Sequence, residues 1–353
     1  MRVASGGYMA TNRCTTLPLY IPSTVVSYDL LLPHCKTLLL QERNKAFVTK
    51  NYLLDLDVQG IREPVNEICR AKMVHWVQII CDMCHLSRSV VPITFSYVDR
   101  LLSDTSDTTS DEQETSVLLG DRDKYQLLVI VSFYIAVKVN EQKVLSPDTL
   151  ELLSRGRYTV QDIENEEQRI LRALDWRLFG PNAFHFVHHF LAMISPAHPT
   201  IAANGNTPPA IDEIARRALG QVEASLAKQS FLDYKRSDVA LAALRNAIDD
   251  VGYIYCPLQV WAANLEVCDI LVGVDAYSEE VESIKGRLRE MMAKKKYQKS
   301  SPSKSLHACR GNVQRSEENE MLVATKPPQI IKKRDIRVHV SSPTCVGRIT
   351  MES

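Results

Sequence analysis

Between Asp121 and Glu141 the chain reads DRDKYQLLVIVSFYIAVKVNE, and this stretch constrains the fold more than any other. Its centre, the 11 residues from Leu127 to Val137, is apolar apart from Ser132, with charged residues at both ends. A helix that is apolar on every side belongs in the middle of a bundle or in a membrane. The run is well short of the roughly 20 residues needed to cross a bilayer. Val and Ile would also suit a buried strand, and periodicity does not separate the two. Length does: with its flanks the stretch makes about five helical turns, whereas strands average about five or six residues. The expectation is a wholly buried central helix, with Lys138 as the charge at the edge of the core.

The rest of the composition is that of an ordinary soluble globular protein. The chain has 353 residues, 45% hydrophobic and 24% charged, a length that suggests two domains plus tails. Its 42 basic and 42 acidic residues cancel, which removes any global electrostatic case for nucleic acid or a membrane surface. Nine cysteines are scattered without regular spacing and read as reduced thiols of an intracellular protein. The first 20 residues contain no apolar signal-peptide core, in keeping with a protein of nucleus and cytoplasm.

Helical periodicity divides the chain. Residues 1–34 show no sustained period and are expected to be disordered, followed by an N-terminal helix within 35–61. Val65–Leu86 carries apolar residues at i, i+3 and i+4, and Val90–Ser103 repeats the pattern with Pro92 in its first turn. Residues 103–118 are almost entirely Ser, Thr, Asp, Glu and Gln, too polar to offset the entropy of ordering, and are expected to form a mobile loop. After the central helix, Ser146–Pro147 starts a short helix. Thr159, with Asp162 three residues on, caps another that ends near Leu178. This makes a five-helix unit over 62–179. Beyond Gly180–Pro181 about five more helices fill 180–295, and residues 296–353 form a basic tail expected to be disordered.

Four blocks of the first unit resemble the cyclin box. They are CRAKMVHWV (Cys69–Val77), TFSYVDRLLS (Thr94–Ser103), YQLLVIVSFYIAVKVNE (Tyr125–Glu141) and YTVQDIENEEQRILRALDWRL (Tyr158–Leu178). Together they align Arg70, Asp99, Leu127, Lys138 and Glu167 with the positions that define the family, and both Arg70–Asp99 and Lys138–Glu167 are 29 residues apart. The resemblance implies an all-α protein of two consecutive five-helix cyclin folds. It implies a non-catalytic regulatory subunit that activates a cyclin-dependent serine/threonine kinase in cell-cycle control, nearest the G1 or D type. The kinase would be held through Lys138 and Glu167, with Val139, Leu171 and Leu174 as an apolar surround. Arg70 and Asp99, flanked by apolar residues, are expected to pair in the core, because a buried guanidinium is satisfied by a bidentate carboxylate. Breaking that pair would cost about 3–5 kcal/mol. Met73, Trp76, Ile79 and Gln126, with Cys69, Lys72 and Tyr125, match a patch where relatives dock peptides of substrates and inhibitors. Lys72 and Ile79 depart from its usual chemistry.

Other signals carry less. Cys81–His85 has the C-x-x-C-H pattern of haem attachment, but both thiols sit on the packed face of an expected helix and read as small hydrophobes. His185 and His189 have the i, i+4 spacing of a zinc pair without a third ligand in sequence, so neither metal nor other cofactor is expected. No glycine-rich phosphate loop occurs, which argues against the chain being a kinase itself. Ser301–Pro302–Ser303–Lys304 reads as a proline-directed phosphorylation site at Ser301, and Lys294–Lys299 and Lys332–Arg337 as candidate nuclear-import signals. The alternative that the resemblance leaves is a transcription-associated cyclin-fold protein, either the cyclin of a transcriptional kinase or a general transcription factor of the TFIIB type; the latter would show a basic face and an N-terminal zinc ribbon, and the sequence has neither feature.

Overall fold

The apolar centre of the sequence becomes a helix from Arg122 to Asn140 around which the first unit is packed. The computed structural model describes residues 28–53, 64–103, 117–143, 145–194, 209–254 and 257–300. Among them the chain forms only helices and turns, and the fold is all-α. Helix α1 is Tyr28–Glu42, and the first unit comprises α2 Glu67–Cys84, α3 Val90–Leu102, α4 Arg122–Asn140, α5 Pro147–Leu153 and α6 Val160–Ala173. The second contains α7 (Ala183–Ile194), α8 (Pro209–Ser225), α9 (Arg236–Val251), α10 (Leu258–Val272) and α11 (Glu279–Ser300).

Local chemistry starts and stops these helices. Asp121 caps α4 by accepting from the amides of Asp123 and Lys124, and Asn66 caps α2 through Cys69. At α6 the capping box closes in both directions between Thr159 and Asp162. Helix α2 ends at His85 in the left-handed region, φ 53°, and Lys143 Nζ donates to the carbonyls of Cys84 and His85 at 3.0 and 2.8 Å. That amine supplies what the last turn of a helix lacks, donors for its orphan carbonyls and a positive charge.

Two hydrophobic cores result. In the first, α4 packs against α3, α6 and α2, and every residue from Tyr125 to Val137 is buried except Leu127, which is partly so. In the second, α9 takes the same central place among α7, α8 and α11, buried along most of its length. The third helix of each five-helix unit is therefore its axle, and Leu232 of the second unit contributes to the first core.

The N-terminal region departs from the sequence reading. The first helix begins at Tyr28, inside the segment expected to be disordered, and ends at Glu42 rather than continuing through 35–61. It packs on α7 and α10, placing Cys35, Leu38 and Leu39 in the second core. The break after Glu42 has a local cause: the Asn44 side chain accepts from the Ala46 amide, an alternative to helical bonding. Glu42 is drawn across to α9, where its carboxylate accepts from the amide and hydroxyl of Ser237 at 2.9 and 2.5 Å. At the other end α11 runs to Ser300, past the expected start of the tail at 296. Residues 104–116 of the acidic stretch, Ser301 and Lys332–Arg337 lie outside the described residues.

Candidate functional site

The acids and bases singled out in the sequence meet as two pairs, Arg70 with Asp99 as expected and Lys138 with Glu167. Arg70 and Asp99 meet in a bidentate arrangement, Nη1 to Oδ1 at 2.5 Å and Nη2 to Oδ2 at 3.0 Å, with 1% and 2% of each residue exposed. The third donor, Arg70 Nε, reaches the carbonyl of Leu226 in the second unit at 2.7 Å. The Tyr52 hydroxyl sits between the partners, accepting from Arg70 at 2.6 Å and donating to Asp99 at 3.1 Å. Arg236 of α9 approaches the same carboxylate to 3.7 Å. This network crosses from one unit to the other, and its chemistry is structural.

The second pair lies at the edge of the core. Lys138 is the first residue of α4 after Val137 to leave the interior, because the apolar run ends there. Glu167 comes from α6, a strongly amphipathic helix that buries Ile163 and Ile170 and turns its acids outward. Lys138 Nζ donates to Glu167 Oε1 at 2.7 Å, with side chains 41% and 16% exposed. The ammonium also lies 4.8 Å from the centre of the Tyr134 ring. Partial burial alone would push the Lys138 pKa down. The hydrogen bond and charge of Glu167 outweigh it, and the pKa stands above its ordinary value.

The expected apolar surround is only partly at the surface. Val139 and Leu171 are half-buried against the first core, whereas Leu174 is 4% exposed and belongs inside it. Leu174 closes the last turn of α6 and points inward with Ile170, so it is removed from the candidate face. Sequence reasoning missed Trp176, which follows α6 and is 67% exposed. Asp175 and Trp176 both have positive φ, 52° and 56°, and the Trp176 amide donates to the Leu171 carbonyl at 3.0 Å. An indole left in solvent on a backbone that L-residues rarely adopt is an unusual expense, and exposed aromatics of this kind recur as anchors of interfaces. The tryptophan was legible in sequence, but its exposure was not.

The peptide-docking patch is rearranged. Met73 and Gln126 are 3% and 5% exposed, Trp76 is 5% exposed with its ring edge-on to Phe133, and Cys69 and Tyr125 are core residues. Trp76 and Gln126 line a groove of about 180 Å³ whose rim carries Arg155 and Arg157. Lys72 does not intrude on that groove; it lines another with Glu67, Ile68, His75 and Lys228. Ile79 is half-buried.

Among the described residues no group of three or more metal-ligating side chains converges. Cys81 is buried and Cys84 half-buried, and burial pushes the Cys81 thiol up to about 12. His189 donates from Nδ1 to the His185 carbonyl at 2.7 Å, and its Nε2 is 3.0 Å from His34 Nδ1. None of the described helices is long and apolar enough to cross a membrane.

Comparison with known proteins agrees with this architecture. Residues 35–179 match the family model for the cyclin N-terminal domain. The G2/mitotic-specific cyclin-2 of Antirrhinum majus is 29% identical over 140 residues, 40% of this chain and 29% of that one. Cyclin-D1-2 of Oryza sativa subsp. japonica is 27% identical over 191 residues, 53% of this chain and 48% of that one. The chain thus spans less than half the length of these two relatives. Cyclin-A3-3 of Arabidopsis thaliana is 23% identical over 256 residues, covering 68% and 69% of the two chains. Among solved structures, the X-ray structure of a viral cyclin from herpesvirus saimiri superposes with a TM-score of 0.50 at 19% identity, covering 74% of this chain and 97% of that one. That likeness extends the fold beyond the segment matched by the family model, and the match over residues 35–179, where Arg70–Asp99 and Lys138–Glu167 are paired, supports a cyclin box in this part of the chain.

Proposed function

We propose that this protein is a non-catalytic regulatory subunit that binds and activates a cyclin-dependent serine/threonine kinase in cell-cycle control. The observation that carries the reading is the Lys138–Glu167 pair, a close ion pair at the rim of the first core that remains open to solvent. A surface pair of this kind contributes only about 0–1 kcal/mol to stability, so its place in the fold needs another explanation. Lys138 and Glu167 present a donor and an acceptor side by side, Val139 and Leu171 add apolar area, and Trp176 supplies a large exposed ring. Together these suit a partner helix that offers backbone groups to the pair and apolar side chains around it. Activation then consists of holding a mobile element of the kinase in its working position. Such an element must hold the Lys–Glu ion pair of the kinase active site in place for phosphoryl transfer. The basic runs at Lys294–Lys299 and Lys332–Arg337 suit a protein that works in nucleus and cytoplasm.

The test is affinity capture of the tagged chain from lysate of its own source, with the bound fraction assayed for proline-directed kinase activity. The wild type is expected to bring down an active kinase, and Lys138→Ala/Glu167→Ala to lose at least tenfold of that activity, equivalent to about 1.4 kcal/mol. A folded double variant that captures and activates as well as the wild type would remove these residues from the interface.

A further inference from the structure

A second surface lies beside this face and has a different chemistry. The segment Arg43–Lys50, RNKAFVTK, crosses the C-terminal ends of α3 and α6 and encloses a groove of about 720 Å³. Arg43, Lys45, Lys50, Arg100 and Arg177 line it, against a single acid, Asp175. Its apolar lining comes from Ala46, Val48, Leu101, Ala173 and Leu174. The volume falls in the range of about 300–1,000 Å³ typical of ligand sites.

The wall is held in place by bonds of Arg100 and of the backbone that leave Arg43, Lys45 and Lys50 outward, while Arg177 pairs with Asp175 at 3.0 Å. Arg100, 8% exposed, donates to the carbonyls of Ala46 at 2.9 Å and Arg177 at 2.7 Å, and its guanidinium lies 4.6 Å from the centre of the Phe47 ring. Lys50 is clasped at both backbone atoms: its amide donates to Ser103 Oγ at 2.9 Å, and its carbonyl accepts from that hydroxyl at 3.0 Å. Asn44 caps the 3-10 turn Lys45–Phe47. Arg43, Lys45 and Lys50 are exposed on this rigid support. Cations gathered on a fixed backbone raise the local positive potential without first having to be ordered, which favours capture of an anionic partner.

We infer that this groove is a docking surface for an acidic peptide segment of a partner protein, one that alternates carboxylates with small apolar side chains. Nucleic acid fits the lining less well. No aromatic ring is among the lining residues to stack on bases, and the whole chain, with 42 basic and 42 acidic residues, carries no net positive charge to favour a polyanion. The apolar strip formed by Val48, Leu101 and Ala173 instead matches aliphatic side chains set between carboxylates. The inference concerns the chemistry of the segment and does not require the partner to be a kinase.

The experiment is fluorescence anisotropy on the full chain with a labelled peptide of about ten residues alternating Glu or Asp with Val or Leu. Binding is expected to weaken with salt. It should fall at least tenfold in Arg43→Ser/Lys45→Ser/Lys50→Ser and less than twofold in Lys36→Ser/Lys124→Ser/Lys294→Ser, which removes equal charge elsewhere. Carbodiimide coupling of the bound peptide should join its carboxylates to Lys45 or Lys50, a readout that needs no variant. The proposal is overturned if the chain does not bind the peptide, if both triple variants lose affinity alike, if the peptide couples to other lysines, or if a DNA oligonucleotide of equal charge binds as tightly.

Discussion

Arg70–Asp99 and Lys138–Glu167 are each a base and an acid 29 residues apart, and each joins two helices of the first unit. Burial makes them different objects. The first has 1% and 3% of its side chains exposed and is surrounded by Tyr52, Phe95 and the Leu226 carbonyl; the second has 41% and 16% exposed. In the interior the attraction must offset the loss of hydration of both charges, so the pair survives only because nearly every donor and acceptor is satisfied. At the rim water screens the attraction, and the pair is weak but free to exchange partners. A pair that no partner can reach holds the fold together, and a pair left at the edge is available for binding.

The sharpest way to break this contrast is to remove one member of each pair. Arg70→Ala leaves a buried, uncompensated carboxylate and should cost about 3–5 kcal/mol, read as a lowered midpoint of chemical denaturation. Arg70→Met/Asp99→Leu should recover much of that loss, because the orphaned charge goes with its partner. A double variant as unstable as the single would mean that the Leu226 and Tyr52 contacts, rather than the ion pair, carry the energy.

Histidines sharpen the contrast from another side, being bases buried beside one another. Burial, reinforced by His189, His188 and His34, holds His185 down to about 4 from its ordinary 6.5. His188 and His189 are lowered for the same first reason, burial. With folded values below unfolded ones, the unfolded chain takes up protons first. This contribution is intact above about pH 6.5 and is lost as pH falls toward about 4. Asp238 and Asp269, raised by burial to about 6, act in the opposite sense over the lower part of that window. The readout is therefore the difference between wild type and His185→Gln in melting temperature across the window, which should close at pH 7 and widen in acid. A constant difference would mean that His185 does not titrate in the folded state as expected.

The smallest effect on stability belongs to the rim. Lys138→Ala/Glu167→Ala should move the denaturation midpoint by no more than about 1 kcal/mol while kinase capture falls at least tenfold. A large loss of stability would make the rim pair structural after all and erase its distinction from Arg70–Asp99. Thiol labelling gives a control with no mutation: Cys35, Cys81 and Cys268, all pushed up by burial, should resist an alkylating reagent at neutral pH until the chain is unfolded.

Much of the first unit was legible in the sequence, because each of its signals is local or strictly periodic. The all-apolar run of α4, the Asp121 and Thr159 caps, and Pro92 and Pro147 near helix starts all read directly onto the structure. The two charge pairs were legible through the cyclin resemblance and their equal spacing. What failed depends on backbone turns and helix packing that periodicity does not show. Leu174 and Trp176 are two residues apart and both apolar, yet one is buried and the other is 67% exposed. The left-handed turn at Asp175 and Trp176 decides which of them faces water. Met73 and Gln126 read as surface patch residues and are buried once α2 and α4 come together.

By itself the sequence determined the helices between Glu67 and Ala173 and the buried axle among them, and through the resemblance to cyclins the residues that pair. Tertiary structure alone decided that α1 joins the second core, that Glu42 caps α9, that Arg70 reaches across to Leu226, and that Arg43–Lys50 becomes the wall of a basic groove. The physical reason is range. Helix propensity, capping and amphipathic spacing act over a few residues and can be read along the chain, whereas the charge environments of Arg100, Arg70 and Ser237 are set by groups 54, 156 and 195 positions away.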